Sequence, residues 1–142
     1  MNEFLFDDIP IGFEQSFSRH IDANMETVFR KLSGDENPLH RDDEFANSVS
    51  GGKFRQHVSY GMMTASLYST LAGVYIPGKY SLIHSIDKLS FFSPVYAEDD
   101  LTVYGKVVDK NEALKLLIIK AKIINQDGRK VSSAEMKVYV LK

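Results

Sequence analysis

Two hydrophobic patterns divide the chain. The run Gly61-Met62-Met63-Thr64-Ala65-Ser66-Leu67-Tyr68-Ser69-Thr70-Leu71-Ala72 carries no charged side chain. Its length suits a helix, and its lack of a charged face predicts one buried all round. Beyond it the period changes. Leu117, Ile119, Ala121 and Ile123 alternate with Ile118, Lys120 and Lys122, the two-residue repeat of a strand with one face on a core. Strands are expected over Leu82 to Phe92, Asp100 to Val108, Ala113 to Asn125 and Lys130 to Leu141. Ser93-Pro94, Asp109-Lys110-Asn111 and Gln126-Asp127-Gly128-Arg129 are the breaks between them, the last being the clearest hairpin signal. An uncharged helix in a small protein must be wrapped, and a curved antiparallel sheet is the economical wrapper. The expected class is therefore α+β.

The first half is patterned more weakly. Phe13 and Phe17 fall on one side of a short candidate strand, Phe13 to Arg19. Asp22 suits a helix N-cap, and Met25, Val28, Phe29 and Leu32 recur at the spacing of one helical face until Gly34. Arg41-Asp42-Asp43-Glu44-Phe45-Ala46 gathers acids where a second, short helix would begin, and residues 47–53 read as a loop. No repeat, low-complexity tract or composition break appears, so residues 1–142 are expected to form one domain.

Composition narrows the function. Seventeen Lys and Arg against nineteen Asp and Glu give a net charge of -2, with no global attraction to nucleic acid or an anionic membrane. The absence of cysteine excludes disulfides, a thiolate nucleophile and a thiolate zinc site, which fits a reducing compartment. The acidic N-terminal residues are unlike a signal peptide, and no apolar run approaches the ~20 residues that span a bilayer. A cytoplasmic protein is expected.

The segment Ser33-Gly34-Asp35-Glu36-Asn37-Pro38-Leu39-His40 reads as chemistry. Gly34 can end the preceding helix in a left-handed conformation, and Pro38 pushes Asn37 toward extended backbone. Asp35 and His40 therefore lie on a forced turn that can aim both side chains at one atom, such as a water oxygen. The alternative is a helix-cap loop whose Asp35 and Asn37 only satisfy backbone donors.

These eight residues, with Phe29 before and Ala46 after, resemble the hydratase signature of the MaoC-like dehydratases, which include the (R)-specific enoyl-CoA hydratases. The likeness extends to Gly61-Met62, to Phe92-Ser93-Pro94-Val95 and to Asp99. It departs at Tyr60, where the family usually has histidine, and at Glu98, where it usually has glycine. The resemblance implies a hot-dog fold, with the sheet wrapped round the central helix. It also implies that Asp35 and His40 hold the water added to, or removed from, an acyl thioester, giving the (R)-alcohol. The implied partners are an acyl-CoA or acyl-carrier-protein substrate and a second copy of the chain in a homodimer. No cofactor and no metal is expected.

Hydration of a conjugated thioester needs an activated water, a proton for the alpha carbon and a site for enolate charge. Asp35 can take the water proton while His40 orients the water and delivers a proton to the alpha carbon, or the two can exchange roles. Backbone N–H groups of Gly61 and Met62, at the start of the buried helix, can meet the thioester oxygen. Asn37 and Tyr60 complete the candidate set. Asn37 either holds the turn or touches substrate, and Tyr60, Met62 and Met63 either line an acyl pocket or belong to the core. His57, near this helix start, reads as a hydrogen-bonded or solvent-facing loop histidine. His20 and His84 show no partner pattern, and Lys53 and Arg55 are a solvated pair or a contact for carrier phosphates. A hot-dog thioesterase and a binding module without turnover are the competing functions.

Overall fold

The computed structural model describes residues 1–142. In chain order it contains β1 (Glu14–His20), α1 (Ala23–Ser33), α2 (Asp43–Val49), α3 (Gly61–Thr70), β2 (Ser81–Phe91), β3 (Asp100–Asn111), β4 (Leu116–Ile124) and β5 (Lys130–Val140). The strands form one antiparallel sheet in the order β1-β3-β4-β5-β2, so β1 and β2 are its edges. The class is α+β, and the arrangement is the hot-dog fold.

Alternation along the central strands makes the core. Val103 and Val107 of β3, Leu117, Ile119 and Ile123 of β4, and Met136 and Val138 of β5 are fully buried, in one cluster with Met63, Leu67, Tyr68 and Leu71 of the helical segment. Each fully buried aliphatic side chain contributes about 1.5–3 kcal/mol. Sheet and helix come close at Gly105, where a Cβ atom would stand 2.7 Å from Leu71 Cδ2.

The central helix differs from expectation on one side. Met63, Thr64, Ala65, Leu67 and Tyr68 are buried, but Met62, Ser66 and Ser69 form an exposed stripe at i, i+4 and i+7. Lack of charge did not distinguish a helix wrapped on all sides from one whose small polar and methionine side is open. Tyr68 donates a buried hydrogen bond to Ser132 Oγ, and burial pushes its phenol up to about 12. Thr64 Oγ1 is buried with no partner. Thr64→Val, which keeps the shape and removes that hydroxyl, is expected to raise stability by about 1 kcal/mol, read by urea unfolding at unchanged m-value.

Local signals set the helix ends. Asp22 Oδ1 accepts the Met25 N–H at the start of α1, and Gly34 ends it at φ 73°, its N–H on Arg30 O. Met25 and Phe29 pack on the core, whereas Val28 and Leu32 face outward, so only half of the expected apolar stripe is used. Helix α2 begins after Asp42, whose carboxylate caps Phe45 N, and continues to Val49 through part of the expected loop. The break expected at Asp109-Lys110-Asn111 is a continuation of β3. The register slips between Val107 and Asp109, and the reversal follows at residues 112–115, where Asn111 Oδ1 accepts Leu114 N and Lys115 has φ 51°.

Candidate active site

The turn after α1 is built from successive side-chain-to-backbone bonds. Ser33 Oγ accepts Asp35 N at 3.2 Å, Asp35 Oδ1 accepts Asn37 N at 3.0 Å, and Asn37 Oδ1 accepts Leu39 N at 3.0 Å. Pro38 then opens a single 3-10 turn that ends at His40. The turn uses one oxygen of Asp35 and leaves Oδ2 directed at His40.

The two side chains converge. Asp35 Oδ2 lies 4.0 Å from His40 Nε2, too far for a direct hydrogen bond. His40 Nδ1 donates to the carbonyl of Val58 at 2.7 Å. A carbonyl only accepts, so Nδ1 carries its proton whatever the charge on the ring, and Nε2 is the nitrogen presented to Asp35. The His40 side chain is 15% exposed and that of Asp35 is 45% exposed, which places the pair at an open rim.

Tyr60 ties both partners to the start of α3. Its ring lies 4.2 Å from the His40 ring, centroid to centroid, and 5.1 Å from that of Phe29, while its hydroxyl donates to Asp35 O at 2.9 Å. Burial first, then the nearby Asp35 carboxylate, push the phenol above its ordinary value, so the hydroxyl stays a donor. Tyr60 is the N-cap residue of α3 and supplies no side-chain cap. The first amide groups of the helix, at Gly61 and Met62, therefore have no capping acceptor from that residue. Gly61 lies against Phe91: a Cβ there would meet the ring at 3.5 Å, an ordinary contact, so packing alone does not demand glycine.

Asp35, His40, Tyr60 and Gly61 thus form one neighbourhood. Met62 follows, an exposed residue, and Asn37 is used within the turn. The Phe92-Ser93-Pro94-Val95 segment arrives beside them, with Val95 O accepting Ser59 N at 2.7 Å. Asp99 is buried and structural, its carboxylate accepting Tyr96 N and Gln126 Nε2. Glu98 adopts φ 74°, a conformation glycine adopts freely, and its carboxylate reaches His20 Nε2 at 2.9 Å. His20 also contacts Asp100 Oδ1 at 2.8 Å. Bonds to Asp100 and then Glu98 raise this exposed imidazole above its usual value.

Sequence reasoning missed a second cluster. His57 is gripped by Glu26 and Asp43, and Ser59 donates to the other oxygen of Glu26. The residues come from α1, α2 and the segment before α3, and no local spacing announces them. No helix of the protein is long and apolar enough to cross a membrane.

The curved sheet around an apolar helix is the hot-dog arrangement, and beside the helix start it carries a carboxylate and an imidazole 4.0 Å apart. The MaoC like domain matches residues 9–138, and the chain belongs to the MaoC-like dehydratase family. It is 33% identical over 120 residues to an "(R)-specific enoyl-CoA hydratase" of Aeromonas caviae, covering 84% of this chain and 87% of that protein. It is 27% identical over 104 residues to a "3-hydroxybutyryl-CoA dehydratase" of Methylorubrum extorquens, covering 73% of this chain and 64% of that one. Among solved structures, the (R)-hydratase from A. caviae superposes with a TM-score of 0.85 at 31% identity, over 93% of this chain and 97% of that one. The R-hydratase PhaJ1 of Pseudomonas aeruginosa gives a TM-score of 0.87 at 24% identity, over 97% and 86% of the two chains, a likeness of fold.

Proposed function

We propose that the protein is a hydro-lyase that adds water to trans-2-enoyl thioesters, or removes it from (R)-3-hydroxyacyl thioesters, using a water held between Asp35 and His40. The observation that carries this reading is the 4.0 Å gap between Asp35 Oδ2 and His40 Nε2. A water about 2.8 Å from each atom would bridge that gap with an angle of roughly 90° at its oxygen. Both of its protons would then be engaged, leaving a lone pair free to meet the beta carbon.

The step balances within this set. The water oxygen bonds to the beta carbon and one member of the pair takes its proton. The alpha carbon receives a proton from the pair, and enolate charge is held on the thioester oxygen by the N–H groups of Gly61 and Met62. Tyr60 and Asn37 act as positioning residues, the one on Asp35 O and the His40 ring, the other within the turn. The carrier is coenzyme A or acyl carrier protein, and Lys53, Arg55 and Arg129, which line a concavity of about 420 Å³, offer cations for its phosphates. No cofactor takes part in this scheme, and the cytoplasm is the proposed compartment.

The Asp35 side chain is 45% exposed, and the exposed Met62, Phe91 and Phe92 leave an apolar surface uncovered near the start of α3. A second copy of the chain is proposed to cover it, which predicts twice the chain mass by light scattering; a monomeric mass would contradict it. The activity is tested by mixing the protein with crotonyl-CoA and following loss of the conjugated-thioester absorbance. Hydration with an (R)-3-hydroxyacyl product is the expected result, whereas release of free thiol would replace this reading with a thioesterase.

A further inference from the structure

His57 stands between two carboxylates. Its Nε2 lies 2.9 Å from Glu26 Oε2 and its Nδ1 2.6 Å from Asp43 Oδ1, which also accepts the His57 backbone N–H at 2.9 Å. Glu26 is only 7% exposed, and its remaining oxygen accepts the Ser59 hydroxyl. A neutral imidazole has one N–H, so one ring nitrogen would turn a lone pair toward a carboxylate oxygen. Both contacts are favourable when the ring carries two protons.

The cluster holds a segment on which the proposed catalytic pair depends. Between His57 and Ser59, Val58 donates its N–H to Leu39 O at 3.0 Å and accepts His40 Nδ1 on its carbonyl, while Ser59 N bonds Val95 O. The next residue, Tyr60, packs its ring against His40 and holds Asp35 O. Residues 57–60 therefore touch both members of the pair. On one side they are fastened by Glu26 of α1 and Asp43 of α2.

We propose that Glu26 and His57 are positioning residues for the hydro-lyase reaction: an imidazolium clamped between Glu26 and Asp43 fixes residues 57–60, and its deprotonation loosens the support under His40 and Asp35. This rests on the function proposed above. The groups facing His57 are Glu26 from α1 and Asp43 from α2, with the Ser59 hydroxyl completing Glu26. Burial lowers the affinity of His57 for its second proton, but the bonds to Asp43 and Glu26 outweigh it and raise the group above its ordinary value. The same contacts, led by the His57 backbone N–H, hold the exposed Asp43 carboxyl below its usual range. A raised imidazole contributes order that is complete below its unfolded value, about 6.5, and lost as pH rises through the folded one.

The test compares the full-length wild type with Glu26→Gln and Asp43→Asn. Crotonyl-CoA hydration is followed from neutral to alkaline pH, and the His57 and His40 ring resonances are titrated by NMR over the same range. In the wild type, kcat is expected to fall at high pH with an inflection at the His57 midpoint. In each variant that midpoint and the kcat inflection should move down together, with kcat about 10- to 100-fold lower at neutral pH and KM changed less. His20→Gln, which removes the other carboxylate-flanked imidazole, should leave the profile in place. A kcat inflection that stays put while the His57 midpoint moves, or variants with wild-type kcat, would overturn the proposal. The two carboxylates are separate routes to the same result, so a variant that fails to fold leaves the other decisive. A wild type without hydratase activity would overturn the proposed function, and the clamp would then stand or fall on whether Glu26→Gln shifts the His40 ring resonances.

Discussion

Replacing Asp35 by asparagine is expected to lower kcat for crotonyl-CoA hydration by about 10²–10⁴-fold with little change in melting temperature. The reason lies in the division of labour within one carboxylate. Oδ1 accepts Asn37 N and helps to shape the turn, a task an asparagine carbonyl can continue, while Oδ2 faces His40 across the 4.0 Å gap. In Asp35→Asn the atom facing the water becomes an amide nitrogen, which donates where an acceptor is required. His40→Ala should cost a similar factor through loss of Nε2, and it also removes the bond to Val58 O and the ring contact with Tyr60. Rates are to be compared beside thermal melts, so that a loss of chemistry is separated from a loss of fold.

The second large effect concerns the place where helix and sheet meet. Leu71→Ala is expected to destabilise the protein by about 2–5 kcal/mol, because the side chain is completely buried and a cavity would replace it. Gly105→Ala should cost about 1–3 kcal/mol by overpacking, since the new methyl would stand 2.7 Å from Leu71 Cδ2 and 3.1 Å from Cδ1. Shortening Leu71 removes both of those atoms and leaves space that an alanine at 105 would partly fill. The double variant should therefore be more stable than the sum of the single losses by about 0.5–3 kcal/mol. Denaturant unfolding of the four proteins measures this, and additive losses would show that the two residues do not meet as described.

What could be read from the residues followed from how local each signal is. Asp22, Gly34, Asp35, Asn37 and Pro38 act on backbone groups within a few positions of themselves, so the end of α1 and the turn to His40 were legible, as was the two-residue repeat of β4. The hot-dog class followed from an uncharged helix that needs a wrapper and from the family resemblance. The turn between β3 and β4 was misplaced because a bulge lets Asp109, Lys110 and Asn111 remain paired, and polar residues on a sheet rim resemble a reversal. The open stripe of α3 went unseen because Ser66 and Ser69 are small enough for either surroundings. The Glu26, His57 and Asp43 cluster was invisible for a different reason. Its members are 31 and 14 residues apart, and their meeting depends on the packing of α1 and α2 against the segment before α3. Tyr60 was noticed as a departure from the family pattern, but its hydrogen bond to Asp35 O required the folded chain.

The central claim, that Asp35 and His40 grip one water between them, is tested most directly by the kcat of the Asp35→Asn/His40→Ala double variant beside the two singles. Groups that act as a unit lose their function once, so the double variant should be no slower than the slower single variant. A loss equal to the product of the two single losses would mean that the side chains act independently, and would contradict the shared water.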